Sequence, residues 1–307
     1  MKKILQLCIL LIIASIGIYL YQIVASYDDY QYYFHERPSR NNSIPLSETA
    51  HSPWPSGSFQ LLPDDFINTT RVSTNSFTDT GYLALLNREH AITESARNLV
   101  SAWPTVAVST TDIQVHPSAL DAVAALFSSA REEGVGPFFI SSGYRGIMLQ
   151  YNLYNAPGAN RDYIMAPGHS EHHTGLAVDI LATGVLKSQL ATSREGRWLA
   201  ANAWRYGLIL RYPQGRTDIT GVAFEPWHFR YVGQLHAWLM HEYDLVLEEY
   251  LALIADNGGF QVHFNGYLYR VLYVPPIYGI LYLPDTHIVT ISNNNMGSYI
   301  ITLREAV

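Results

Sequence analysis

The most apolar stretch of the chain comes first. Residues 4–24, ILQLCILLIIASIGIYLYQIV, are interrupted only by Gln6, Ser15 and Gln22 among otherwise apolar or small side chains. As a helix rising ~1.5 Å per residue, this run spans a bilayer core of roughly 30 Å. Lys2 and Lys3 precede it, and Asp28 and Asp29 follow. A basic flank stays cytoplasmic, which predicts residues 1–3 as a cytoplasmic stub and residues 25–307 outside the membrane. The run is long for a signal-peptide core and no clean small-residue cleavage site follows it, so an uncleaved single-pass anchor is expected. Cys8 follows the bulky Leu7 and reads as a small apolar membrane residue rather than a lipidation site.

Residues 25–81 carry no sustained period of two or 3.6. Segments such as RPSRNNS, HSPWPSGS and NTTRVSTNSFTDTG are rich in Ser, Thr, Asn and Pro, which predicts an extended extracytoplasmic linker. The Tyr-rich YDDYQYYF segment suits a membrane surface.

Folded structure is predicted over 82–257. LALLNREH (83–90) reads as a first strand. Pro117 opens a helix to about Glu133, with Ala119, Leu120, Val123, Leu126, Phe127 and Ala130 on one stripe. PFFISS (137–142) reads as a buried strand, 146–155 as a helix and TGLAVDIL (174–181) as another strand. Ser193 caps a helix that Gly207 ends. LILRYP (208–213) and EPWHFRYV (225–232) read as strands, and 234–255 as helices broken near Asp244. After Gly258-Gly259 the pattern changes. FQVHF, Asn265-Gly266 and YLYRVLYV form a strong hairpin signal, and three further strand-like runs follow. The predicted class is α+β: an antiparallel-leaning central sheet with flanking helices, an N-terminal transmembrane helix, and a small C-terminal β appendage over 258–307.

Composition narrows the chemistry. The 307 residues hold 19 Lys+Arg against 26 Asp+Glu, a net charge of −7 that disfavours a nucleic-acid partner. One cysteine excludes an intramolecular disulfide and any Cys-only metal site, while 12 histidines leave room for a metal. Oligomeric state is not encoded in any pattern along the chain.

Three stretches carry candidate chemistry. In PGHSEHHTGLAVDI (167–180), a histidine on a turn and Asp179 on the following strand can converge on one point, and both are good zinc ligands. In EPWHFRYVG (225–233), Glu225 and His228 stand three apart. Three protein ligands and an open position for water define a catalytic zinc site, and a nearby carboxylate can take the water's proton. In SSGYRGIMLQ (141–150), Arg145 follows a strand end and a glycine turn, where a guanidinium can grip a carboxylate or a developing oxyanion. On chemistry alone His169, His172, His173 and His228 remain competing ligands. His263 and His287 fall in strand-like alternation and carry no such pattern.

The combined pattern is Ser170, His172, Gly175, Ala177 and Asp179, then Glu225-Pro226-Trp227-His228, with Ser142-Gly143-Tyr144-Arg145 and Gln150 upstream. It resembles the VanY-type D-alanyl-D-alanine carboxypeptidases. These belong to a zinc-peptidase group that includes VanX-type dipeptidases, lysostaphin-like enzymes and hedgehog domains. The resemblance covers roughly residues 82–250. It implies Zn2+ held by His172, Asp179 and His228, Glu225 as general base, and Arg145 on the substrate and the tetrahedral intermediate. Gln150 and Ser170 are implied as substrate contacts. His169 and His173 receive no ligand role, and His173 is expected to point away.

The implied activity is removal of the terminal D-Ala from a peptidoglycan stem peptide or precursor, without an acylating serine and with a potential contribution to glycopeptide resistance. Two alternatives stand beside it: a dipeptidase acting on free D-Ala-D-Ala, and a non-enzymatic zinc or cell-wall binding module. Glu225 and Arg145 count against the last, because a structural zinc needs neither.

Overall fold

The computed structural model describes residues 69–76, 81–92, 96–276, 279–284 and 288–306. The apolar run 4–24 and most of the expected linker lie outside the described residues. Among the described residues no helix is long and apolar enough to cross a membrane.

The chain is a mixed α+β protein. In order it forms β1 (Thr69–Ser73), β2 (Val100–Ser101), β3 (Gln114–Val115), α1 (Pro117–Glu132), β4 (Phe138–Ser142), α2 (Ile147–Tyr154) and β5 (Ala177–Ala182). Then come α3 (Arg194–Asn202), β6 (Leu208–Leu210), the single turn α4 (Thr217–Thr220), β7 (His228–Tyr231), α5 (Gln234–Glu242) and α6 (Leu247–Asn257). Strands β8 (Gly259–Phe264), β9 (Tyr267–Val274), β10 (Ile280–Pro284), β11 (Ile288–Asn293) and β12 (Tyr299–Ala306) complete it.

The central sheet has the order β4-β5-β7-β6, and every pairing in it is antiparallel. Its two faces differ. Val178, Ile180 and Phe229 point into a core with Leu120, Val123 and Leu126 of α1 and Leu199 of α3. Burying a side chain of this size contributes roughly 1.5–3 kcal/mol. The residues between them, Asp179, His228 and Arg230, therefore face the other way. That polar face is where the chemistry sits.

Local signals explain most element ends. His116 caps α1 by accepting from the Ser118 amide at 3.2 Å, and Pro117 fills the first turn, where its missing N–H costs nothing. Ser193 accepts from the Gly196 amide at 2.9 Å to start α3. Asp244 adopts φ 52° between α5 and α6, which ends the first helix.

The C-terminal strands form a second antiparallel sheet, ordered β11-β12-β9-β8. Asn265 and Gly266 take φ 49° and 80°, the doubly left-handed turn that matches strand twist in a two-residue hairpin. One face of this sheet packs Phe260, Val262, Tyr269 and Val271 on Leu235, Leu239, Tyr250 and Ile254 of α5 and α6. The other packs Leu272, Val274, Ile301 and Leu303 on Leu281 and Leu283 of β10. The sheet is thus built onto the rest of the fold on one side and covered on the other.

Two expectations are corrected. Residues 69–73, assigned to the linker, form β1 and pair with β10 from Thr69↔Pro284 to Ser73↔Ile280. The β-branched Thr69, Thr70 and Val72 suit a strand, but the partner lies some two hundred residues away and leaves no local trace. Residues 83–90 form no strand. Leu83 to Leu86 are buried, yet their main chain bonds to loops: Leu83 N–H to Ser292 Oγ at 2.8 Å and Leu85 N–H to the Asn294 carbonyl at 3.0 Å. An unbroken apolar run fixes burial without fixing a ladder.

Candidate active site

The polar face of the central sheet gathers its groups from three loops. β4 ends at Ser142, and the next residue must be small. A Cβ on Gly143 would lie 2.5 Å from the Gln114 carbonyl oxygen. The tight approach places the Gly143 carbonyl 2.7 Å from His172 Nδ1. Arg145 then donates its amide to the His172 carbonyl at 3.1 Å. His172 lies in a 3-10 turn, Glu171–Thr174, closed by Gly175 at φ 69°. A Cβ there would sit 2.5 Å from Leu99 Cδ2 and 3.2 Å from the His116 amide nitrogen, so a substitution would be strained in conformation and would force Leu99 aside.

His172, Asp179 and His228 each offer one donor atom, and these atoms lie within 4.8 Å of one another. His172 Nε2 is 3.4 Å and His228 Nδ1 is 3.2 Å from Asp179 Oδ1. The two imidazole rings meet edge to face at 4.9 Å. Asp179 and His228 are register partners on β5 and β7. Two imidazoles and a carboxylate oxygen form a donor set suited to zinc. The outward nitrogen of each ring also has an acceptor: the Gly143 carbonyl for His172, and Glu171 Oε2 at 3.4 Å for His228. With those nitrogens protonated, the facing nitrogens keep their lone pairs, as a ligand needs.

Electrostatics point the same way. Burial and the neighbouring Arg145 push His172 down to about 4, so it is a neutral imidazole at pH 7. Burial pushes Asp179 up, but the two histidines outweigh it and hold the carboxyl well below its usual range. Burial alone would lower His228, yet hydrogen bonds to Asp179 and Glu171 and the charge of Glu225 raise it to about 9. Carboxylates crowded around one imidazole make a place for a cation, and a divalent ion there would take over the proton's role.

Glu225 borders the same point. Its carboxylate lies 3.5 Å from His228 Nδ1, and its amide donates to the Tyr212 carbonyl at 3.0 Å. Burial, reinforced by Asp179 and opposed by His228, Lys187 and Arg145, pushes it up to about 7. A carboxyl tuned near neutrality is suited to taking and returning a proton. Lys187 Nζ lies 3.8 Å over the ring of the buried Trp227, at the edge of this region.

A family model described as VanY, D-alanyl-D-alanine carboxypeptidase, matches residues 112–234. The chain belongs to the VanY-type family. It is 38% identical over 179 residues to a D-alanyl-D-alanine carboxypeptidase of Enterococcus faecium, an alignment covering 58% of this chain and 57% of that one. The chain thus spans little more than half the length of that relative. Among solved structures it is similar to the vancomycin-resistance D,D-dipeptidase VanXYg in complex with a D-Ala-D-Ala phosphinate analogue. That match has a TM-score of 0.66 at 26% identity and covers 78% of this chain and 99% of that one. It is also similar to the LdcB LD-carboxypeptidase, with a TM-score of 0.51 at 34% identity, covering 56% of this chain and 86% of that one.

The remaining motif residues occupy different surroundings. Arg145 is half-buried, and its Nε is enclosed without a hydrogen-bond partner. Asp179 and Glu225 lie close enough to support its charge against burial. Gln150 is wholly buried; its Nε2 donates to the Met165 carbonyl at 2.6 Å, and its Oε1 has no partner. Ser170 is buried, and its carbonyl accepts from the His173 amide at 3.1 Å. His169 Nδ1 is 2.7 Å from the Asn87 carbonyl oxygen, away from the donor cluster. His173 also turns from it: Nδ1 donates to the Arg145 carbonyl at 2.6 Å, and Nε2 accepts from the Gly168 amide at 3.0 Å. It therefore staples the arginine turn to the motif loop.

Sequence reasoning missed Glu171, Arg211, Arg230 and Glu248. Arg211 Nε binds Glu171 Oε1 at 2.7 Å, and its other nitrogens take both oxygens of Glu248 at 2.9 and 2.6 Å. Arg230 Nη1 lies 3.1 Å from Glu171 Oε1. Both arginines are fully buried: Arg211 directly follows the apolar β6, and Arg230 stands two residues after His228 on the polar face of β7. Arg211 and Glu248 fall in LRYP (210–213) and LEEY (247–250), segments the family resemblance includes without giving them a role.

Proposed function

We propose that this chain is a zinc D,D-carboxypeptidase that removes the terminal D-Ala from D-Ala-D-Ala-ending stem peptides or precursors of peptidoglycan. The observation that carries this reading is the placement of Glu225, with its raised pKa, beside three converging ligand atoms from His172, Asp179 and His228. A purely structural metal would have no use for that carboxyl.

His172 through Nε2, His228 through Nδ1 and Asp179 through Oδ1 would hold the ion. When bound, zinc supplies Lewis acidity, which acidifies a water and polarises a carbonyl. Glu225 takes the proton of the attacking water and returns it to the leaving amine of D-Ala. Arg145 balances the charge that develops on the carbonyl oxygen, a role whose loss typically costs about 10²–10³ in rate. Gln150 and Ser170 are assigned as substrate contacts on the strength of the motif positions they occupy. The Oε1 of Gln150 is buried without a partner, so it becomes an acceptor for a substrate N–H only where neighbouring side chains open to admit one.

In this reading the apolar run 4–24 anchors the chain in the cell membrane, and the enzyme faces the extracytoplasmic side where its substrate lies. Removing terminal D-Ala would also withdraw the D-Ala-D-Ala target of glycopeptide antibiotics.

The test is D-alanine release by the full chain, with zinc, from a D-Ala-D-Ala-ending pentapeptide. Free D-Ala-D-Ala dipeptide, a D-Ala-D-lactate depsipeptide read by release of D-lactate, and a tetrapeptide run beside it. Release from the pentapeptide that a chelator removes and zinc restores supports the proposal. Release from the dipeptide alone makes the chain a dipeptidase, release from the tetrapeptide alone makes it an L,D-carboxypeptidase, and no release with any substrate rejects a hydrolase.

A further inference from the structure

The turn that carries His172 also carries a buried carboxylate that neither the catalytic reading nor the motif explains. Glu171 is 1% exposed and faces the Nε2 side of the His228 ring, opposite the Nδ1 that meets Asp179. Its two oxygens are used differently. Oε1 meets Arg211 Nε at 2.7 Å and Arg230 Nη1 at 3.1 Å. Oε2 faces His228 Nε2 at 3.4 Å. Both arginines are otherwise committed. Arg211 forks onto Glu248, and Arg230 Nη2 donates to the carbonyls of Tyr82 and Ala84, each at 3.1 Å. Two cations therefore balance two carboxylates, and Glu171 is fixed on its protein side with one oxygen left for the imidazole.

A network like this is an expensive way to gain stability. Burying ion pairs seldom improves on well-packed apolar residues. The geometry offers another reason for it. His228 must present a bare Nδ1 to Asp179 and His172, and that requires the proton on Nε2. We propose that Glu171 is a positioning residue, which locks His228 in the Nε2–H tautomer and fixes the plane of its ring for metal binding. The site is then asymmetric. The outward nitrogen of His172 donates to the neutral Gly143 carbonyl at 2.7 Å, whereas His228 donates to a charged carboxylate and becomes the stronger donor. Adjacent side chains of one turn thus serve both histidines: residue 172 ligates directly, and residue 171 sets the partner on β7.

The inference rests on the metal reading above, and the experiment separates the two. Zinc affinity is measured on the full chain by competition with a chromophoric chelator, for the wild type, Glu171→Gln and Glu248→Gln. Glu171→Gln keeps an acceptor but loses the charge, and is expected to bind zinc about 10-fold more weakly. Glu248→Gln damages the same network from its far end without touching His228, and is expected to stay within about twofold of wild type. Wild-type affinity in Glu171→Gln would overturn the proposal. So would equal losses in both variants, which would make the network merely structural. A wild-type chain that binds no zinc would instead defeat the metal reading itself. Should Glu171→Gln fail to fold, the ring ¹⁵N spectrum of the zinc-loaded wild type decides. The His228 proton is expected on Nε2, and finding it on Nδ1 overturns the assignment.

Discussion

Asp179 and His228 stand directly opposite one another on neighbouring antiparallel strands, and their side chains close to 3.2 Å. Cross-strand partners have Cβ atoms about 5 Å apart, so the sheet register alone holds this pair at ligand distance. Only His172 comes from a turn, and the Gly143 carbonyl anchors it. A slip of one residue between β5 and β7 would send one of the pair to the apolar face. The site is therefore as stable as the central sheet, and single substitutions in it should leave the fold standing.

The first prediction uses that separation. Glu225→Ala should lower the rate of D-alanine release by about 10²–10⁴, the usual contribution of a positioned general base. Its zinc content and thermal midpoint should match wild type, because Glu225 is 3.5 Å from His228 without being one of the convergent ligands. Turnover and metal content on one preparation check this. Near-normal turnover would remove Glu225 from its role.

Gly143 tests the coupling between arginine and metal. Its Cβ would lie 2.5 Å from the Gln114 carbonyl and 2.9 Å from both Ile113 Cγ2 and Val115 Cγ1. Gly143→Ala must push the turn outward, moving the acceptor of His172 and the backbone of Arg145 together. Overpacking of this kind costs about 1–3 kcal/mol. The urea midpoint should fall by a matching amount, and both zinc affinity and turnover should fall with it. A variant with wild-type zinc affinity would show that the two halves of the site move independently.

Burial makes His236 a pH-dependent stability element. Its Nδ1 is 2.7 Å from the Tyr250 hydroxyl and its Nε2 3.1 Å from Thr302 Oγ1, so it joins α5 to α6 and to β12. Burial pushes it down to about 4. Between about 6.5 and 4 the unfolded chain binds a proton that the folded chain refuses. Its contribution is therefore complete above about 6.5 and is lost as the pH falls towards 4, by on the order of 3 kcal/mol. Urea midpoints across this range should drop more steeply for wild type than for His236→Gln. Parallel slopes would contradict the assignment.

What the chain discloses about itself divides along physical lines. Signals confined to a few neighbours are legible: Pro117 opening α1, the Asn265-Gly266 hairpin turn, the break at Asp244. Spacing alone leaves four histidines in competition; the family resemblance is what singles out His172, Asp179 and His228, whose donor atoms lie together in the fold. Pairings across long separations are not legible. Nothing near Thr69 announces β10, and nothing near Leu83 shows that Ser292 and Asn294 will satisfy its main chain. Glu171 is the sharpest case. A carboxylate in S-E-H-H reads as solvent-exposed until Arg211 and Arg230, from two other segments, bring their charges to it.

The last prediction concerns the C-terminal sheet, which reads from sequence as an appendage with no link to catalysis. In the fold Asn295 holds φ 59° and donates Nδ2 to the carbonyls of Leu85 and Ala91, each at 2.9 Å. The segment it grips bonds onward to the site: the Asn87 carbonyl meets His169 Nδ1 at 2.7 Å, and the Ile92 amide donates to Gly168 at 2.7 Å. Tyr82 and Ala84 hold Arg230, which faces Glu171. Asn295→Ala leaves two carbonyls short of a partner and should cost about 1–3 kcal/mol. Its first effect should be local, as faster amide exchange over residues 83–92, followed by weaker turnover with the motif residues unchanged. Removing residues 258–307 should go further and strip the apolar cover from Leu235, Leu239, Tyr250 and Ile254, leaving a chain that no longer folds cooperatively. A truncated chain with a wild-type urea transition and normal turnover would show that the sheet is separable after all.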